Sequence, residues 1–162
     1  MATLDPQDFR NAMASFPSGV TVVITRDAEG RNTGFTASAF SSLSLNPPLA
    51  LVCLDRKADC FPAFEACEQF TISILADGQS ETAMKFATRG ADKFAGTKTT
   101  AGAITGLPLI DGATSRIECK IHARLDGGDH VIIVGEVLGA KTDLQREPML
   151  HYNRQFGHFA VS

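Results

Sequence analysis

The sequence predicts a mainly β fold with a few helices, arranged as an antiparallel barrel. Three observations carry this reading. Ile117, Cys119, Ile121, Ala123 and Leu125 alternate with Arg116, Glu118, Lys120, His122 and Arg124, the period of two of a strand with one buried and one wet face. Several further short runs, β-branched or compactly apolar, are separated by turns instead of helices. A doubly wound parallel sheet needs a helix between successive strands, which the chain does not supply, and there is no G-x-G-x-x-G motif.

Taken in order, the first element is a helix. Asp5 caps it and Pro6 suits its first position. Phe9, Ala12, Met13 and Phe16 fall at the spacing of one buried face, and Pro17-Ser18-Gly19 ends it. Val20 to Thr25 reads as a strand, and Asp27-Ala28-Glu29-Gly30 turns the chain towards a second strand near Gly34. Leu49 to Leu54 is a buried strand. A short helix around Cys60 to Cys67, a strand from Phe70 to Leu75 and a helix from about Ser80 to Ala87 follow. Gly90 to Gly106, rich in Gly, Ala, Thr and Lys, reads as a surface loop. The alternating strand then turns at Asp126-Gly127-Gly128-Asp129 and returns as Val131 to Leu138, making a hairpin. A last strand is expected from Gln155 to Val161.

With 162 residues, 44% of them hydrophobic and 20% charged, the chain fits one soluble domain, 1–162, that needs no staple. A net charge of −3 argues against nucleic acid as a partner. No apolar run is long enough for a membrane helix, and the polar, acidic stretch Met1 to Arg10 lacks the pattern of a signal peptide. The expected compartment is the cytoplasm. Cys53, Cys60, Cys67 and Cys119 include no C-x-x-C pair, and His122, His130, His151 and His158 show no ligand spacing, so no metal is expected.

Two segments could carry chemistry. From Gly34 to Pro48, hydroxyls at Thr36, Ser38, Ser41, Ser42 and Ser44 stand among small and apolar residues. Such a face is either a solvated Ser-rich edge or a platform for a flat polar ring. Asp55-Arg56-Lys57 sets two cations between a buried strand and a helix start, which is either a solvated turn or an anion site.

Several stretches, in order, resemble the flavin reductase family of the FMN-binding split-barrel type, the reductase components of two-component monooxygenases. They are Phe9-Arg10-Asn11-Ala12-Met13, Pro17-Ser18-Gly19-Val20-Thr21-Val22-Val23, Gly34-Phe35-Thr36-Ala37-Ser38-Ala39-Phe40 and Ser44-Leu45-Asn46-Pro47-Pro48-Leu49. Asp92-Lys93-Phe94-Ala95-Gly96, Gly106-Leu107-Pro108-Leu109 and Asp126-Gly127-Gly128-Asp129-His130 complete the set. The resemblance implies a split barrel that reduces FMN or FAD with NADH or NADPH, pairs as a homodimer and serves a flavin-dependent monooxygenase. It implies that Thr36, Ala37 and Ser38 contact the flavin ring. Ser41, Ser42, Asp55, Arg56 and Lys57 would lie towards the ribityl phosphate. Cys53 joins the cofactor-binding set, Phe94 shapes the pocket, and His130, the expected catalytic residue, lies near the nicotinamide. Phe35 and Asn46 depart from the family's frequent Met and Asp. Two other readings share the barrel: a flavin-binding protein without catalysis, and an FMN enzyme of the pyridoxamine-phosphate oxidase type.

Overall fold

The structure, a computed structural model, describes residues 3–161. Met1, where the polar N-terminal stretch begins, lies outside them. The chain forms α1 (Pro6–Ala14), β1 (Ser18–Gly19), β2 (Thr21–Arg26), β3 (Asn32–Ala37), β4 (Phe40–Leu45), β5 (Pro48–Asp55), α2 (Phe61–Ala66) and β6 (Gln69–Ile74). Then come α3 (Ser80–Ala87), β7 (Thr99–Ala101), β8 (Pro108–Ile110), β9 (Ser115–Gly127), β10 (His130–Thr142), β11 (Met149–Tyr152) and β12 (Gln155–His158). The fold is mainly β and antiparallel, as expected from the sequence.

The main sheet runs β3-β2-β6-β9-β10-β5-β4. Its two outermost strands are consecutive in the chain, joined only by Ser38 and Ala39. In a flat sheet, seven strands about 4.8 Å apart would hold β3 and β4 about 29 Å from each other. Three residue steps reach about 11 Å. The sheet therefore curls until its edges meet at Ser38-Ala39. There the amide of Cys53 donates to the Ala39 carbonyl, 3.1 Å, and the amide of Phe40 to the Ser38 carbonyl, 3.0 Å.

The curl encloses the larger core: Val23, Phe35, Val52, Leu54, Phe64, Phe70, Ile72, Cys119 and Ile133. Helix α2 supplies Phe64 and sits beside buried Cys60, the two lying on one stripe as their spacing predicts. A second core lies outside the curl. Val22 and Ile24, on the other face of β2, meet Leu75, Ala83, Phe86, Ile110 and Met149. Strand β2 is thus buried on both faces, which its β-branched run suits.

Three expectations need correction. The apolar face of α1 is not buried: Phe9, Met13 and Phe16 are exposed, and no residue of the helix is buried. Its capping is as expected, with the Gln7 amide donating to the Asp5 carboxylate at 2.6 Å. Periodicity reveals a face that wants cover, not what covers it. The 90–106 loop contains β7, which pairs with β8. And Glu118, placed on the wet face of β9, is buried. Its carboxylate accepts from the amides of Ile104 (3.0 Å) and Thr105 (2.7 Å) and from the Thr105 hydroxyl (2.8 Å). The loop before β8 folds down over that face of β9, so the position is dry but satisfied.

Candidate active site

A half-open cleft of about 290 Å³ lies beside the seam, where β3, β5, the start of β10 and the end of α3 converge. That is near the lower end of small-molecule sites, about 300 Å³. Phe35, Leu54, Ala58, Phe86 and Ala87 give it apolar walls, drawn from both cores. Thr36, Cys53, Asp55, Asp59, Arg89, Lys93 and His130 supply its polar groups.

The strands dictate this convergence. Gly34 lets β3 lie close to β2, because a Cβ there would overlap the Val23 carbonyl oxygen. That register sets Phe35 inward, in edge-on contact with Phe64 at 5.1 Å. Thr36 faces α3, and its hydroxyl donates to the Ala83 carbonyl at 2.6 Å. The Thr36 proton is therefore committed to docking the helix, leaving the oxygen lone pairs to a ligand. His130 pairs with Asp55 across β10 and β5. Its Nδ1 meets the Asp129 carboxylate at 2.7 Å. That hydrogen bond, aided by the charge of His130, holds the Asp129 carboxyl below the usual carboxylate range. Cys53 is partly exposed, and burial pushes its thiol above the ordinary value.

Of the residues expected from the sequence, Thr36, Cys53, Asp55 and His130 line the cleft. The others lie around or beyond it. Ala37 is buried in the larger core, and Ser38 is exposed at the seam. Ser41 and Ser42 are exposed on the edge strand β4. Lys57 is exposed in the turn after β5. Arg56 turns towards the β9–β10 hairpin, donating to Gly128 O at 3.1 Å and Asp126 at 2.7 Å while its guanidinium lies 5.9 Å from the Phe61 ring. Phe94 packs edge-on against Phe86, 5.2 Å between centroids, and so buttresses a wall residue.

Sequence reasoning missed Phe86, Asp59, Arg89 and Lys93. Arg89 pairs with Asp59 at 3.2 Å and donates to the Lys57 carbonyl, while the Gly90 amide donates to Asp59 at 2.9 Å. These contacts tie the segment after α3 to the turn after β5. Lys93 is half-buried and donates to the Gly34 carbonyl at 3.0 Å. The Asp92-Lys93-Phe94 stretch was visible in the sequence; that its lysine reaches back across the chain to β3 was not.

A β sheet curled to a seam, with an aromatic-walled cleft and cations beside it, defines a small β protein suited to a planar, negatively charged ligand. The chain belongs to the flavin reductase like domain family, which it matches over residues 13–160. It is 44% identical to the actinorhodin polyketide dimerase of Streptomyces coelicolor, over 91% of this chain and 82% of that protein. It is 39% identical to the reductase component of a 4-nitrophenol 4-monooxygenase/4-nitrocatechol 2-monooxygenase from Rhodococcus opacus, covering 96% and 82%. The solved structure of the Streptomyces globisporus NADH:FAD oxidoreductase, in complex with NAD and FAD fragments, superposes with a TM-score of 0.90. It shares 38% identity over 99% of this chain and 98% of that one.

The residues present fit a flavin. Ala58 and Ala87, backed by the buried Phe35, Leu54 and Phe86, offer a ring a flat apolar lining, and the ammonium of Lys93 and the guanidinium of Arg89 suit the negative charge that a flavin carries on its phosphate. Among the described residues, no helix is long and apolar enough to cross a membrane.

Proposed function

We propose that this protein, acting as one domain over 1–162, reduces FMN or FAD with NADH or NADPH and delivers the reduced flavin to a flavin-dependent monooxygenase. The observation that carries this reading is the cleft at the sheet seam, within a chain of the flavin reductase family.

A bound flavin would supply the hydride acceptor and a bound nicotinamide the hydride, so the chemistry would belong to the two cofactors. The protein's residues provide surface, orientation and charge. Phe35, Thr36 and Leu54 form the wall for the ring, with Ala37 behind them and Ser38 at the rim. Cys53 lies beside that wall and lends it small bulk. Ser41, Ser42, Asp55 and Lys57 lie towards the ribityl phosphate, and Arg56 acts there by fixing the turn against the β9–β10 hairpin. Phe94 holds Phe86 in place. His130, oriented by Asp129, positions the nicotinamide; hydride transfer needs no proton from it.

The exposed apolar side chains Phe9 and Met13 on α1, Phe16 just after it, and Leu43 and Leu45 on β4, support a homodimer that covers them. The cytoplasm is the compartment this reading implies.

Purified protein mixed with NADH or NADPH and free FMN or FAD should consume nicotinamide, followed at its absorbance band. Silence with both nucleotides and both flavins sinks the reading. In His130→Ala the KM for the nicotinamide should rise several-fold with flavin affinity little changed. Ser38→Trp should abolish tight flavin binding.

A further inference from the structure

We propose that a groove at the far end of the β9–β10 hairpin is a second ligand site, one that takes a small phosphate monoester. The groove holds about 490 Å³, within the range of small-molecule sites. It lies between the start of β9, the end of β10, the turn at Gly112-Ala113 and the segment 143–146. Lys141 stands eleven residues along β10 from His130, about 36 Å on an extended strand, so the groove is separate from the cleft at the seam.

Three cations line it: Arg116, Lys141 and Arg146. Arg116 and Lys141 are direct cross-strand partners in the antiparallel ladder, so their side chains leave the same face of the sheet. Like charges placed directly opposite destabilise a strand pair. The carboxylates nearby do little to relieve this one. Arg116, its side chain only 27% exposed, has Asp111 as its ion-pair partner at 3.8 Å, beyond hydrogen-bond length. The same Asp111 oxygen accepts the Thr100 hydroxyl at 2.6 Å. Lys141 has no salt-bridge partner among the described residues. Arg146 is held from behind, its Nε donating to Asp143 at 3.1 Å, and one Nη reaches over the turn, 3.7 Å from where a Cβ on Gly112 would stand.

A largely buried guanidinium set opposite an ammonium is stabilised by an anion that meets both. A phosphate monoester has three terminal oxygens, enough for the Arg116 fork and the Lys141 ammonium at once. A carboxylate has two, which the fork alone engages. Buried Ala113 and the exposed Leu144 side chain offer apolar surface to the organic part of the ester.

The test titrates isotope-labelled protein with phenyl phosphate and with benzoate in phosphate-free buffer, following amide resonances by NMR. The parent, Arg116→Gln and Lys141→Gln are compared, with thermal melts to confirm folding. Phenyl phosphate should shift the amides of Gly112, Ala113 and 143–146 saturably, and benzoate should bind there more weakly. Arg116→Gln should weaken phenyl phosphate about tenfold, the loss of one charge-assisted contact. Lys141→Gln removes the repulsion, so without ligand it should melt above the parent, and phenyl phosphate should raise its melting temperature less. A parent with no saturable shift at these amides overturns the proposal, as does undiminished binding in a folded Arg116→Gln. Benzoate binding as tightly as phenyl phosphate overturns the phosphate assignment, and Lys141→Gln melting no higher than the parent removes the repulsion on which the site rests. Shifts confined to Gly90 and His130 would place the phosphate in the cleft; they overturn this site and leave the flavin reading standing.

Discussion

The two buried thiols show how one residue's surroundings set its chemistry. Burial pushes the Cys60 thiol up to about 11 and the Cys119 thiol up to about 12. Neither carries appreciable thiolate near neutrality, so neither is nucleophilic in the folded chain. In a thiol-reagent titration at pH 8, both should react only when denaturant unfolds the protein, whereas half-exposed Cys53 and Cys67 react first. The spacing of the four cysteines did not divide them, whereas the structure buries two and leaves two half-exposed. Gly135 marks another single-residue constraint. It sits at a register shift between β10 and β9, and a Cβ there would overlap the Phe70 ring and press on Cys119. Gly135→Ala should cost about 1–3 kcal/mol of stability by overpacking, seen as a lower urea midpoint at unchanged slope. The sequence already set Gly135 inside the strand Val131 to Leu138, but not what crowds it, because Phe70 lies far away in the chain.

Elements with a periodic signature were legible. β2, β5, β6, α3 and the β9–β10 hairpin follow from alternation, β-branched runs and turn residues. The structure extends the hairpin strands beyond the apolar stretch, to Gly127 and Thr142. What failed was the assumption that an acid at an alternate position is wet. Glu118 is ringed by donors of the segment before β8, and Gly102 lies so close that a Cβ there would overlap its carboxylate. Burial opposes ionisation of this carboxyl, but the hydrogen bonds from Thr105 and Ile104 outweigh it and hold the group below its ordinary 4.5. A carboxyl held low in the folded state adds stability that is fully present above its unfolded value and is lost as pH falls through the folded one. Glu118→Gln should therefore lower stability at pH 7 by about 1–3 kcal/mol. The gap between variant and parent should narrow in acid, and urea titrations at the two pH values measure it.

At the scale of the molecule, the cleft combines parts that no single motif announces. Phe35 and Leu54 come from one core, Phe86 from the other, and His130 from the far hairpin. The motif residues Thr36 and His130 were visible in sequence, whereas the cations came from long-range packing of the segment after α3. The uncovered face of α1 belongs to the same scale. If a second copy covers it, Met13→Glu combined with Phe16→Glu should shift sedimentation from dimer to monomer; a parent that sediments as a monomer would remove the dimer from the reading. The seam has a consequence for ligand traffic. At Ser38-Ala39 the outer strands are linked by the chain itself, and no ladder joins β3 to β4 among the described residues. The hydrogen bonds at that line, from the Cys53 amide to Ala39 and from the Phe40 amide to Ser38, tie the link to β5 and to itself, so β3 and β4 can part there with both flanking ladders intact. A shuttle that must release its cargo on every cycle thereby gains a door whose frame stays rigid, and within the sheet hydrogen exchange should run fastest at the amides of Ser38 and Ala39.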